Sequence, residues 1–449
     1  MTEPSIPRRE FALLFTVLLV VAAGNTALQS VLPAIAREIR IPDMLVAIIF
    51  SFSALLWTFS APYWARQSDI RGRKRLMLIG VAGFGISMLG CAFVILAGLK
   101  GLIIPVVTFA LFATLRSLFG IFGSAANPAS QAYVAARTGP QERTAALATL
   151  SSAFGLGTIL GPAVAPFFVI GVFGLAGPLF AFAAIALVVL VTVRRYLPDD
   201  DPTNAPMVDP GGIHHGALSS MPTIGGSGTG ATVIAADVGR RASLSWRDRR
   251  IFPLMAFGFA MGSIQAATGQ ALGFLIIDQL GGNAAEAQKF IGIALMAGAG
   301  ATLLAQWGLI RMLHMSPGTL MRWGAGLAAV GTFGIAMSSD YHGIVVAFAL
   351  TSLGYGFARP GFTAGSSLLV EPHEQGAVAG AVTSVNGACF VLAPAVGIGL
   401  YQVAPALPYW IGAALLVAAL AYTLLNPVMR RDWDSLTDES PDGGSDLQP

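Results

Sequence analysis

Long apolar runs broken by short polar stretches constrain this 449-residue chain more than any motif does. A run longer than about 18 residues can cross a bilayer as one helix, and hydrocarbon leaves the backbone only itself to bond with. Twelve runs qualify, at 11–35, 44–65, 76–97, 103–136, 143–170, 176–197, 251–278, 288–310, 318–338, 343–369, 376–402 and 406–428. The expected fold class is therefore an all-α multi-pass membrane protein with twelve transmembrane helices. Only 11% of residues are charged and 55% are hydrophobic, which excludes a soluble domain with its roughly 25% charge. Arg8 and Arg9 before the first run imitate a signal peptide, but polar Asn25 and Gln29 within it and eleven runs after it predict a retained helix.

Charge placement sets the orientation. With the N-terminus inside the cell, Arg37, Arg40, Lys100 and Lys289 fall outside and Arg116 and Arg359 fall within runs, leaving twenty of the 26 Lys and Arg inside. Basic residues accumulate on the cytoplasmic side of membrane proteins. Both termini are therefore expected in the cytoplasm, with the bundle in a plasma membrane or, in a bacterium, the inner membrane. The densest cluster, ARQSDIRGRKR at 65–75, becomes a cytoplasmic turn that either holds this topology or has a more particular role. Cys91 and Cys389 lie inside spans and supply neither a metal spacing nor a disulfide framework, so no metal or other cofactor is expected. The glycines at 225–230 lack a following Gly-Lys-Ser/Thr, and His214 and His215 stand in a polar loop, so neither nucleotide nor nucleic acid is an expected partner.

The chain also repeats itself. A shift of 232 residues pairs Pro128 with Pro360, Pro140 with Pro372, Glu142 with Glu374, and Pro162-Ala163-Val164 with Pro394-Ala395-Val396. The fourth and fifth spans thus resemble the tenth and eleventh. Two six-helix halves repeated in one orientation are a transporter arrangement, with the substrate site near the membrane midplane between them. We expect a six-helix bundle at 1–197, a flexible cytoplasmic linker at 198–246, a second six-helix bundle at 247–429 and a disordered cytoplasmic tail at 430–449.

With the repeat in view, the sequence resembles the major facilitator superfamily from about Phe11 to Pro427, and within it the twelve-helix drug:proton antiporters. The turn after the second span is similar to the family signature Gly-x-Leu-x-Asp-Arg-x-Gly-Arg-Lys. Asp69, Gly72, Arg73 and Lys74 match it, Ala65, Gln67 and Ile70 depart from it, and Arg71 supplies a displaced cation. The resemblance implies a conformational latch of Asp69, Arg71, Gly72, Arg73 and Lys74. In it Asp69 meets the positive N-terminal end of the eleventh helix while the cytoplasmic side is closed. Arg116, followed by Gly120 and Gly123, resembles the family's Arg-x-x-x-Gly element, associated with proton coupling. Gly157, Gly161 and Pro162 resemble the core of its antiporter motif, with Ala148 and Ala165-Pro166 where that motif has glycines. Small residues four apart let two helices approach closely.

In this family the first, fourth, seventh and tenth helices line the central cavity, and their polar residues here are Asn25, Gln29, Arg116, Asn127, Gln265, Thr268, Gln270, Tyr355 and Arg359. Each needs a partner or water in an apolar bundle. Phe52, Trp57 and Phe274 are candidate apolar walls. None of the 23 Asp and Glu lies mid-membrane, which weakens the proton analogy, whereas Arg116 and Arg359 give the cavity a positive balance suited to an anionic substrate. The expected function is secondary active export of small amphipathic compounds by alternating access, in exchange for protons. The expected partners of a monomer are a small-molecule substrate, the proton and membrane lipid. Symport or uniport of an organic anion or other metabolite is the alternative, and a non-transporting receptor or scaffold a third reading. No catalytic cluster converges inside the spans, so no enzyme is expected.

Overall fold

A computed structural model describes residues 6–138, 140–199, 248–281, 284–313, 315–370, 374–431 and 433, which contain helices and no strand. The expected linker beyond Asp199 and the expected tail beyond Arg431, save Trp433, lie outside these residues, as do His214 and His215. The side chain of Asp69 is also outside the described set.

The first half comprises α1 (Arg8–Ile39), α2 (Asp43–Arg71), α3 (Arg73–Leu99), α4 (Pro105–Phe122), α5 (Ala126–Arg137), α6 (Pro140–Val164) and α7 (Gly177–Tyr196). The second comprises α8 (Phe252–Leu280), α9 (Ala284–Leu303), α10 (Ile310–Leu313), α11 (Pro317–Met337), α12 (Tyr341–Leu368), α13 (Gln375–Val403) and α14 (Leu407–Leu425). Among the described residues, eleven helices are long and apolar enough to cross a membrane. The fifth expected span, 143–170, corresponds to α6 and the 3₁₀ turn after it, within which Ser152–Phe168 is a shorter apolar stretch among the described residues.

Two local breaks follow from single residues. Proline has no N–H to donate and its ring crowds the carbonyl four residues back, so Pro128 disturbs the ladder at Ser124. There the fourth span narrows into a 3₁₀ turn, Gly123–Ala125, before continuing as α5. The second break corrects an expectation. The basic stretch is not an extended turn: α2 runs on through the charges to Arg71, α3 begins at Arg73, and Gly72 alone turns the chain at φ 88°. Helix formation does not stop at the end of the apolar run, because Arg, Gln and Lys are good helix formers once outside the membrane.

The repeat is visible in space. Gly80 of α3 packs on Ala126 of α5, and Gly324 of α11 packs on Ala358 of α12; Ala126 and Ala358 are mates under the 232-residue shift. The α1–α6 pair of the first half is likewise matched by α8–α13 of the second, where Gly262 meets Cys389 and Gly397 meets Ala267. The α1 helix is buried along most of its length, against α6 and α7 of its own half and α9 of the other.

The two ends of the bundle differ. At the end bearing the termini, the ties identified among the described residues stay within one half. Tyr133 donates to Glu10 at 2.9 Å and Lys74 pairs with Asp199 at 2.8 Å in the first; Arg250 pairs with Glu374 at 2.8 Å in the second. At the opposite end the ties cross between halves. Arg37 of α1 pairs with Asp278 of α8 at 3.0 Å, Gln288 of α9 donates to Ser30 of α1 at 3.2 Å, and Met44 of α2 approaches Gly399 of α13. Gly273 rests on Pro33, and Gly292 on Pro162 and Pro166. The halves are thus joined at the face away from the termini.

Candidate functional site

Between that seal and the end bearing the termini lies a cavity built from both halves. The first half supplies Asn25 and Gln29 from α1, Phe50, Ser53, Ala54 and Trp57 from α2, and Arg116 and Phe119 from α4. The second supplies Ala266 and Gln270 from α8, and Phe390 and Pro394 from α13. Gly120 lets α4 come close enough to α2 to place Arg116 in this wall, since a Cβ there would stand 2.8 Å from the Ser53 carbonyl.

Arg116 is the electrostatic centre. Its Nη2 donates to the Asn25 Oδ1, and its guanidinium lies 4.3 Å from the Phe119 ring and 5.7 Å from that of Phe50. The Nε and Nη1 atoms are buried without a hydrogen-bond partner, as are Trp57 Nε1 and Gln29 Oε1 in the same chamber. Trp57 packs on Phe119 at 5.2 Å between ring centres. No Asp or Glu lines the chamber, so its formal charge is that of Arg116.

The other expected cavity residues are divided by the fold. Gln265, Tyr355 and Arg359 line a second cavity inside the second half, beside Phe257, Met261, Phe362 and Asn386. Phe390 borders both cavities and stands between them. Thr268 lies deeper, with Gln265, Tyr355 and Tyr409 around a smaller void, its hydroxyl spent on the Ile264 carbonyl. Asn127 is buried away from these cavities and accepts from Gln131 at 3.0 Å. Among the apolar walls, Trp57 faces the chamber, Phe52 is about half exposed on the outside of the bundle, and Phe274 is buried in the seal beneath Arg37, 5.6 Å away.

Phe50, Ser53, Phe119 and Phe390 were not singled out from sequence, since apolar or small residues on a buried helix carry no mark of the cavity they face, and Asn386 lies on α13, outside the four spans expected to line the cavity. The seal had a signal. Arg37 and Asp278 are opposite charges at matching ends of the first spans of the two halves, and Asp43 and Tyr401 join them at 2.9 Å and 2.5 Å.

Of the residues expected to form a latch, Gly72 makes the turn, Lys74 holds Asp199, and Arg71 is exposed. The helix-packing residues sit on α1: a Cβ on Gly157 would stand 2.5 Å from the Leu19 carbonyl, and one on Gly161 would collide with the Ala23 carbonyl and Thr26.

Residues 14–394 match the family description Major Facilitator Superfamily. The chain belongs to the major facilitator superfamily. Membership places it among transporters rather than enzymes. Multidrug resistance protein 2 of Bacillus subtilis is 29% identical over 182 residues, 40% of this chain and 42% of that protein. Multidrug resistance protein MdtG of Proteus mirabilis is 25% identical over 183 residues, 40% of this chain and 42% of that protein. The chain thus spans less than half the length of these curated relatives. Among solved structures, the human organic anion transporter MFSD10 superposes with a TM-score of 0.63 at 18% identity, covering 93% of this chain and 100% of that one. A bacterial homologue of the human lysosomal transporter Spinster, inward-facing and occupied, gives 0.67 at 12% identity, covering 93% and 96%. Both likenesses concern the fold.

Proposed function

We propose that this major facilitator protein is a secondary transporter that exports small amphipathic compounds by alternating access, in exchange for protons. It does so as a monomer in a plasma or bacterial inner membrane, with both termini in the cytoplasm. One observation carries the reading: a chamber walled by both halves, with the inter-half ties identified among the described residues at the end away from the termini. A transporter that alternates needs a central site and a seal that can move from one side to the other. With the termini inside, this arrangement is the inward-facing state. The basic turn is then the latch of the opposite state, in which Asp69 would meet the start of α13. The multidrug names of the relatives support an amphipathic substrate, and the mix of Phe50, Trp57, Phe119 and Phe390 with Asn25, Gln29 and Gln270 fits one.

The Arg116 donors also favour a second reading, movement of an organic anion, the class named for the MFSD10 neighbour. Purified protein in vesicles under an imposed pH gradient, screened with labelled anionic, neutral and cationic amphiphiles, tests both. We expect protein-dependent movement of at least one class, driven by the gradient. Movement indifferent to the gradient would remove proton exchange, and no movement of any class would remove transport.

A further inference from the structure

Arg116 stands about 16 Å along the span that begins at Pro105, close to the middle of an apolar core about 30 Å thick. A guanidinium stays protonated in proteins, so a full positive charge is held at that depth. The chain gives it one neutral partner, the Asn25 side-chain carbonyl, and leaves Nε and Nη1 without any, although Arg116 is only 3% exposed. Trp57, 2% exposed, adds an N–H donor without an acceptor, and Gln29 Oε1 an acceptor without a donor. Buried polar atoms are nearly always paired, and four unpaired ones lining a single cavity point to something missing from it. Arg359 does not share this state, since it has interactions of its own in the adjacent cavity.

The kind of group missing follows from the atoms. Three donor nitrogens and one net positive charge call for an anionic oxygen acceptor, and a single charge neutralises the chamber. The rings of Phe50, Trp57, Phe119 and Phe390 around them call for a flat apolar body attached to that acceptor. We propose that the chamber is a binding site for an organic monoanion, a carboxylate on an aromatic or alicyclic frame. Its oxygens accept from the Arg116 guanidinium and from Trp57 Nε1, and a hydroxyl or amine of the ligand donates to Gln29 Oε1. The proposal rests on the transporter reading for the identity of this ligand as cargo, and it assigns the substrate-binding charge to Arg116 rather than to Arg116 and Arg359 together.

The test uses the full chain in lipid nanodiscs and three probes with one ring system: 2-naphthoate, 2-naphthalenemethanol and 2-naphthylmethylammonium, titrated by calorimetry at neutral pH. The site predicts 2-naphthoate tighter than the alcohol by at least about tenfold, the size of one charge-assisted hydrogen bond, with the ammonium weakest. Arg116→Gln should erase that preference while leaving the alcohol unchanged. Trp57→Phe should cost 2-naphthoate about 3- to 10-fold by removing one donor from a preserved aromatic wall, and it decides the matter if Arg116→Gln does not assemble. Equal binding of 2-naphthoate and the alcohol, as a chamber merely filled by water would give, overturns the site, as does a Trp57→Phe chain that binds 2-naphthoate like the native one. Flux of neutral amphiphiles in vesicles with no anion preference here would discard the anion and keep the transporter; tight 2-naphthoate binding with no flux of any solute would do the reverse.

Discussion

At Gly161 the chain has no room for a side chain. The α1 backbone at Ala23 and the Thr26 hydroxyl occupy the space a Cβ would need, and the Ala23 carbonyl cannot move without moving the helix. Gly161→Val should cost about 1–3 kcal/mol of overpacking and lower the midpoint of thermal unfolding in detergent. Gly300→Ala, on an exposed helix face with nothing within 4 Å, should leave that midpoint unchanged and serves as the control. Equal midpoints for both variants would show that α6 does not depend on this approach. The sequence made the close-packing pair legible because spacing by four marks one helix face. It made Arg116 legible as costly, but not its pairing with Asn25, which lies 91 residues away and meets it only through the packing of α1, α2 and α4. Arg359 looked equivalent to Arg116 in sequence for the same reason: composition shows a charge at depth, and only packing shows which of its nitrogens are already satisfied.

Among elements, the seal joins the ends of α1, α2, α8 and α13 through Arg37, Asp43, Asp278 and Tyr401. Its ion pair is more than one-third exposed on both sides, at 36% and 39%, and such pairs contribute about 0–1 kcal/mol. Asp278→Asn should therefore shift the balance toward the state open at this face by no more than about fivefold. Spin labels placed through Met44→Cys and Gly399→Cys would report this as a modest gain of longer distances. Gly273→Leu should act more strongly, because a Cβ there would stand 2.6 Å from Pro33 and force α1 and α8 apart. Loss of the short-distance population in Asp278→Asn alone would mean that charge, not packing, closes the face. Helix existence was readable from apolar runs, whereas the reach of α2 to Arg71 was not. A hydropathy pattern ends where lipid ends, and the backbone continues until Gly72 turns it.

For the whole molecule, the two-half plan was readable because a 232-residue shift preserves prolines along the fourth and fifth spans, and the mates Ala126 and Ala358 each pack on a glycine, Gly80 and Gly324, in space. Which face is closed was not readable, since a chain that served both proposed states would carry the same residues in each. The account therefore turns on motion between halves about the seam. A disulfide made through Met44→Cys and Gly399→Cys, in a chain carrying Cys91→Ser and Cys389→Ser, would hold that seam shut. Solute flux in vesicles should then stop when the pair is oxidised and return on reduction. Undiminished flux through the oxidised protein would contradict alternating access through this chamber.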